Sequence, residues 1–184
     1  MARSSHPPLT IIVDTREQFP YTFPGLRAEH LPLTTPIADI LSGKSAGLSD
    51  PAGGKSAGLS EPAGGVEIVT RKLPAGDYSI AGLEAVVAVE RKELDDFVST
   101  VIHDRERWIA EVRLLARMPH PLILIEATLR DILDRRYTAA VHPEALVGEI
   151  ISLQVAWQIP VFMAGDRQAA QEFLGKWLMK VYQL

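Results

Sequence analysis

Residues 76–80 read Gly-Asp-Tyr-Ser-Ile and, after a short turn at Gly82, residues 85–92 read Ala-Val-Val-Ala-Val-Glu-Arg-Lys. The first five residues of the second segment are small or β-branched and apolar, which predicts a central strand over 85–89 that is buried on both faces. Ionisable groups that directly follow such a strand are costly unless other groups pair with them. The two segments together predict a β-hairpin that turns near Gly82 and brings Asp77 to the end of that strand.

Three ionisable side chains meet where this hairpin ends. Glu90 and Lys92 share one face, because side chains alternate along a strand, and Asp77 approaches them from the other arm. Two carboxylates and one ammonium suit a hard divalent cation and a phosphodiester, which predicts a metal-dependent nuclease site that holds Mg²⁺ or Mn²⁺. The residues alone leave open a second interpretation, in which residues 90–96 are the charged, solvated start of a helix.

A second polar group lies near the start of the chain. Residues 9–13 read Leu-Thr-Ile-Ile-Val and predict a short strand that ends at Asp14. Asp14, Arg16 and Glu17 therefore lie at a strand end, where active-site groups are common. Taken alone, this pattern favours a local ion pair in a loop.

The motifs together resemble one nuclease family. Gly-Asp at 76–77, then Glu-Arg-Lys-x-x-x-Asp at 90–96, the Val-Asp-x-Arg-Glu run at 13–17 and Arg105 in the following helix occur in this order. This set is similar to the nuclease domain of the XPF-type structure-specific endonucleases, a branch of the restriction-like PD-(D/E)XK superfamily. The resemblance covers residues 10–165 apart from the repeat described below.

The resemblance implies a role for each matching residue. Asp77 and Glu90 would bind the metal, and Lys92 would orient or help deprotonate the attacking water. The further residues that it assigns to catalysis, to a supporting role or to phosphate binding are Asp14, Arg16, Glu17, Arg91, Asp96 and Arg105.

The implied function is a divalent-metal-dependent DNA endonuclease that cuts branched, flap or junction DNA. Two alternatives stay open. One is a catalytically weak DNA-binding or scaffold subunit of a repair or recombination complex, against which the intact Asp77, Glu90 and Lys92 argue. The other is a restriction-like nuclease that acts on plain duplex or on RNA.

The order of predicted elements gives the fold class. Strand, strand, hairpin strand, long helix, strand, helix, strand and helix predict an α/β fold with a mixed β-sheet flanked by helices, as in restriction endonucleases. The long helix is expected to begin at Leu94 and to stop at Met118, before Pro119, with a kink near His103 and Asp104. A chain of 184 residues is expected to form one nuclease domain over 1–184.

A tandem repeat interrupts this order. Residues 44–54 and 55–65 are two copies of one Gly-, Ser-, Ala- and Pro-rich sequence and differ only at Asp50 and Glu61. Because neither copy has enough apolar residues to offset the entropy of ordering, we expect a flexible low-complexity insertion at about 43–65.

Composition sets weaker limits. The net charge of −4 neither supports nor excludes DNA as a partner, and no apolar run is long enough to cross a bilayer. The absence of cysteine agrees with a reducing compartment, so we expect a cytoplasmic location and no membrane partner.

The C-terminal helices predict self-association. They carry Trp157, Trp177, Leu178 and Val181, which is more apolar surface than a thin sheet is expected to cover. We therefore expect a homodimer through these helices, by analogy with the paired nuclease domains of the family.

Overall fold

A computed structural model describes residues 9–26 and 66–184. In these two ranges the chain forms a mixed sheet of six strands, β1 (Thr10–Val13), β2 (Glu67–Thr70), β3 (Tyr78–Ile80), β4 (Val87–Lys92), β5 (His120–Ile125) and β6 (Val161–Met163). Their spatial order is β2-β1-β3-β4-β5-β6. Strand β3 runs antiparallel to both of its neighbours, whereas the other neighbouring strands are parallel.

Helices cover both faces of this sheet. They are α1 (Leu94–His103), α2 (Arg105–Leu115), α3 (Leu129–Leu133), α4 (Pro143–Val155) and α5 (Arg167–Tyr182). Helix α5 packs on one face, and the other four helices contribute to the core on the opposite face. The predicted α/β fold with a mixed sheet flanked by helices is confirmed. None of the described helices is both long and apolar enough to cross a membrane.

Strand β4 is the element that divides the two cores. Val87 and Val89 pack against the α5 side, and Ala88 packs against the side of α1 and α2. The prediction for this strand was wrong at its start, because the N–H groups of Val86 and Val87 both donate to the Leu83 carbonyl oxygen in the turn. The strand instead continues through Lys92, so the Glu-Arg-Lys triplet lies within it and alternates between its two faces.

The prediction of one long helix from Leu94 to Met118 was also wrong, since two helices end at His103 and at Leu115. Asp104 has φ −111° and ψ 32°, which is not helical, and it separates α1 from α2 at the position where a kink was expected. The Asp104 carbonyl oxygen accepts the Trp108 N–H at 2.8 Å and so begins the second helix. Trp108 is fully buried, and its indole N–H donates to Glu149 of α4 at 2.8 Å. This contact between helices is invisible to a local sequence pattern.

The surface that predicted a homodimer is largely internal. Leu178 and Val181 belong to the core, and Trp157 and Trp177 are half-buried against it. The reason for the predicted homodimer is therefore wrong, and the homodimer itself stays a prediction. The predicted insertion at 43–65 lies outside the described residues.

Candidate active site

The hairpin of β3 and β4 fixes Asp77 by its backbone. The Asp77 N–H donates to the Val89 carbonyl oxygen at 2.7 Å, and the Asp77 carbonyl oxygen accepts the Asp14 N–H at 2.8 Å. The carboxylate oxygen Oδ2 accepts the Arg91 N–H at 2.8 Å. Three backbone contacts thus hold this carboxyl group beside β4, as the predicted hairpin requires.

Gly76 allows the two arms of the hairpin to approach this closely. It has φ +70°, and a Cβ at this position would lie 2.7 Å from the Val89 carbonyl oxygen. A glycine is therefore needed here both for its conformation and for the space that it leaves. The position of Asp77, the next residue, depends on this contact.

Glu90 and Lys92 lie on the same face of β4 and contact one another. The Lys92 ammonium is 2.7 Å from Glu90 Oε1, and the two side chains are only 12% and 7% exposed. The ammonium also lies 5.8 Å from the centre of the Trp108 ring, whose π-face attracts a cation. Lys92 is thereby held between a carboxylate and an aromatic ring.

The three predicted residues face a common cleft of about 410 Å³. The cleft is bounded by the hairpin, by the loop after β1 and by α2. Its lining residues are Arg16, Pro74, Ala75, Gly76, Asp77, Glu90, Lys92, Arg107, Glu111 and Leu114. The structure thus brings Asp77, Glu90, Lys92 and Arg16 together, and it adds three residues of α2, namely Arg107, Glu111 and Leu114.

The electrostatics of the cleft favour a bound cation. Burial, followed by the charge of Glu90, raises the pKa of Asp77 to about 8. Burial also raises the pKa of Glu90, although Lys92 opposes this change. For Lys92, burial lowers the pKa, but the Glu90 carboxylate and then the charges of Glu111 and Asp77 together outweigh burial, so the pKa is raised. Without further positive charge, the two carboxyl groups are not both readily ionised.

Asp77 and Glu90 fit an oxygen-bound divalent cation, which is the metal that the family resemblance implies. Among the described residues, no three acidic, histidine or cysteine side chains form a closed cage for a metal. Two carboxylates and several water molecules are a common ligand set for Mg²⁺, which gives up its water reluctantly. The residues present therefore suit Mg²⁺ or Mn²⁺ better than a metal that needs a complete protein cage.

The raised pKa of Asp77 predicts how the stability of the metal-free protein depends on pH. The unfolded chain releases this proton near pH 3.8, whereas the folded cleft keeps it to about pH 8. Between these values the folded state binds more protons, so the free energy of unfolding falls as pH rises, by at most about 1.4 kcal/mol per pH unit. Melting curves in EDTA at pH 6, 7 and 8 should show a steeper loss for the wild type than for Asp77→Asn. Equal slopes in the two proteins would contradict a protonated Asp77.

Asp14 organises the loops around the cleft rather than lining it. It is 1% exposed, and its two oxygens accept the N–H groups of Arg16 at 2.8 Å and of Leu73 at 2.5 Å. Burial opposes ionisation of Asp14, but these bonds and the Arg16 side chain at 2.6 Å lower its pKa. The local ion pair that the sequence allowed is therefore present. Arg16 itself reaches the cleft with a side chain that is 64% exposed.

Arg91 and Glu17 belong to a separate polar cluster on the other face of the sheet. Arg91 donates to Glu126 at 2.8 and 3.1 Å and to Glu93 at 2.6 Å, and it lies 3.5 Å from Glu17. The guanidinium side chain is 5% exposed, so it serves here as an internal counter-ion and not as a surface phosphate contact. Tyr21 also donates to Glu126, at 2.5 Å.

The sequence analysis missed Glu126, although the signal was present. It directly follows the apolar residues of β5, in the same way that Glu90 follows an apolar run in β4. An ionisable group in that position needs a partner, and the partner here is Arg91 on the neighbouring strand.

Like Asp14, Glu17 and Arg91, the predicted residues Asp96 and Arg105 do not line the cleft. Asp96 is exposed in the first turn of α1. Arg105 pairs with the buried Glu149 at 2.8 Å, the same carboxylate that accepts the Trp108 indole N–H. Arg105 therefore supports the packing of α2 on α4, and its connection to Lys92 runs through Glu149 and then Trp108.

One family model matches most of this chain. The family model described as the ERCC4 domain matches residues 57–176. The chain is 27% identical over 109 residues to a protein described as the putative ATP-dependent RNA helicase MJ1505 of Methanocaldococcus jannaschii, a match that covers 59% of this chain and 12% of that protein.

Solved structures show the same fold. XPF from Aeropyrum pernix matches with a TM-score of 0.56 and 20% identity, over 95% of this chain and 65% of that one. The same protein in complex with DNA matches with a TM-score of 0.54 and 19% identity, over the same shares. The chain thus spans less than two thirds of each of these relatives.

Proposed function

This chain belongs to the ERCC4 domain family, and from this membership we propose that it is a structure-specific DNA endonuclease that uses Mg²⁺ or Mn²⁺. The observation that carries the proposal is the contact of Glu90 with Lys92, beside Asp77, in one partly dry cleft. Ionisable groups buried in this way are costly to stability, and their presence in a cleft supports a chemical role.

Three residues of the cleft, Asp77, Glu90 and Lys92, would each have a separate task in phosphodiester hydrolysis. Asp77 and Glu90 would hold the cation through oxygen atoms. The cation, when bound, supplies positive charge to the phosphate and lowers the pKa of the attacking water. Lys92, fixed by Glu90 and Trp108, would hydrogen-bond the attacking water or a phosphate oxygen and stabilise the charge that develops in the transition state.

Two arginines are suited to guide the nucleic-acid backbone into the cleft. Arg16 and Arg107 line it from two different elements, the loop after β1 and α2, with side chains that are 64% and 66% exposed. Exposed guanidinium groups at the rim of a cleft can contact phosphates, and such contacts position a substrate without reading its sequence. The sign of these rim charges supports a polyanionic substrate, although the whole chain is acidic.

The relatives favour DNA, while one of them makes RNA a necessary comparison. The Aeropyrum pernix XPF structure was solved in complex with DNA, whereas the Methanocaldococcus jannaschii relative is described as a putative ATP-dependent RNA helicase. Branched DNA is the proposed substrate class, and RNA and plain duplex are the competing classes.

The test is a cleavage assay on substrates that share one labelled strand. Flap, fork, plain duplex, single-stranded DNA and a matched RNA flap are incubated with Mg²⁺, with Mn²⁺ or with EDTA. We expect the flap or fork to be cut at least about tenfold faster than plain duplex, which corresponds to about 1.4 kcal/mol of discrimination, and no cleavage in EDTA. Equal rates on duplex and flap, or faster cleavage of RNA, would assign the protein to a different substrate class. DNA binding without cleavage of any substrate would favour the scaffold alternative.

A further inference from the structure

Glu111 of α2 has a carboxylate oxygen that the structure leaves without a partner. Its side chain is 29% exposed and lines the cleft beside Asp77 and Glu90. Oε1 lies 3.5 Å from Arg107 Nε, but Oε2 is buried, and no donor within residues 9–26 and 66–184 reaches it. Native proteins rarely leave a buried oxygen of this kind unsatisfied, so a water molecule or an ion is its expected partner.

The charge of Glu111 acts directly on the catalytic pair. After burial and the mutual contact of Glu90 and Lys92, the next contribution to the pKa of each comes from the charge of Glu111, which raises both. Glu111 is therefore close enough to influence both groups, yet no hydrogen bond joins it to either of them in the described structure.

We propose that Glu111 is a third carboxylate of the cation site, and that its Oε2 accepts a hydrogen bond from a water molecule bound to the cation. This inference rests on the proposed function and adds a residue that positions water within the same cleft. A contact through water fits better than direct coordination, because no three acidic side chains of the described residues close around one point. Mg²⁺ commonly keeps several of its water molecules, and groups that bind those water molecules orient the site.

The ion pair with Arg107 does not explain why Glu111 has a buried carboxylate oxygen without a partner. The two residues are four positions apart on α2, with 3.5 Å between Arg107 Nε and Glu111 Oε1, and the Arg107 side chain is 66% exposed. Exposed pairs with this spacing contribute little to stability. The pair also occupies only Oε1, so the burial of Oε2 in a residue that lines the cleft needs a separate explanation.

The test measures cation binding directly, with matched variants of the whole chain. Glu111→Gln keeps the shape of the side chain and removes its charge. Glu106→Gln removes the same charge from an exposed position on the same helix, outside the cleft lining. Arg107→Gln breaks the ion pair and keeps the Glu111 carboxylate. Mn²⁺ is titrated into each protein by calorimetry and by melting curves that start from EDTA.

We expect Glu111→Gln to bind Mn²⁺ about tenfold more weakly or worse, as is typical when a group that supports metal ligands is lost. Glu106→Gln should bind like the wild type, and Arg107→Gln should bind equally well or more tightly. The cleavage defect of Glu111→Gln should shrink as Mn²⁺ is raised, since the loss is one of affinity. If Glu111→Gln fails to fold, Glu111→Asp, which withdraws the carboxylate by one methylene, should bind Mn²⁺ more weakly than the wild type.

The outcomes separate this inference from the proposed function. Wild-type Mn²⁺ affinity in Glu111→Gln, or in Glu111→Asp where the first variant does not fold, overturns the inference and leaves the nuclease proposal intact if the wild type binds Mn²⁺ and cuts DNA. An equal loss in Glu111→Gln and Arg107→Gln overturns it in favour of the ion pair. A wild-type protein that neither binds Mn²⁺ nor cuts any substrate overturns both.

Discussion

Glu90→Gln should reduce cleavage about a thousandfold or more, because a bound metal supplies several kcal/mol of transition-state stabilisation and each 1.4 kcal/mol is a factor of ten. The same change should alter the stability of the cation-free protein by no more than about 1 kcal/mol, a small shift for a buried ionisable group. The glutamine keeps the shape of the side chain, and its amide oxygen can still accept a hydrogen bond from Lys92.

The small effect on stability has an electrostatic reason. Glu90 and Asp77 repel each other when both are ionised, and this repulsion contributes to the raised pKa of Asp77. Once residue 90 is neutral, Asp77 ionises more readily and can replace Glu90 as the counter-charge of Lys92. One charge is removed, but the buried ammonium keeps a partner.

Melting curves in EDTA and in Mn²⁺, together with one cleavage assay, test whether Glu90 acts in catalysis or only stabilises the fold. The cation should raise the melting temperature of the wild type by mass action and raise that of Glu90→Gln much less. Glu84→Gln is a matched control. Glu84 lies in the turn after β3, where its carboxylate pairs with Arg71, and it does not line the cleft. A Glu90→Gln protein that melts well below the wild type in EDTA and still cuts DNA would show that the pair is structural.

The part of the site that the sequence predicted depends on rules that act over a few residues. Alternation along a strand placed Glu90 and Lys92 on one face, and a short hairpin brought Asp77 to them. The same alternation sends Arg91 to the opposite face. These relations survive even though β4 begins two residues later than predicted, because a shift of a strand boundary leaves the period unchanged.

The part that could not be predicted depends on how helices pack. A kink near Asp104 was expected, but the complete break between α1 and α2 was not, and neither were the contacts of Trp108 and Arg105 with the buried Glu149 of α4. The approach of Glu111 to the cleft follows from that packing and has no local signature. A residue such as Arg105, predicted from a motif, can therefore be present and still serve a different contact from the one expected.

The second prediction with a large expected effect concerns Gly76, where the two arms of the β3–β4 hairpin approach each other. Gly76→Ala should destabilise the protein by about 3 kcal/mol or more, since it combines a left-handed backbone conformation with overpacking. Gly76 has φ +70°, and an added Cβ would lie 2.7 Å from the Val89 carbonyl oxygen, where neither atom belongs to a flexible side chain. Gly82→Ala is the matched control, because Gly82 has φ +83° and nothing lies within 4 Å of an added Cβ. That change should cost only about 1 kcal/mol, the price of the conformation alone.

The difference between these two variants isolates the approach of the strands from the cost of the conformation. To relieve the clash, residue 76 must move away from Val89. Asp77 then moves together with residue 76, because the Asp77 N–H is hydrogen-bonded to the same Val89 carbonyl oxygen. A displacement of about 1 Å at a reacting group can cost a hundredfold in rate, so folded Gly76→Ala should cut slowly and bind Mn²⁺ weakly, while Gly82→Ala behaves like the wild type. Urea unfolding gives the two stabilities, and cleavage at a temperature where both variants are folded gives the rates. If Gly76→Ala matches Gly82→Ala in both measurements, the close contact of the hairpin arms is not what positions Asp77.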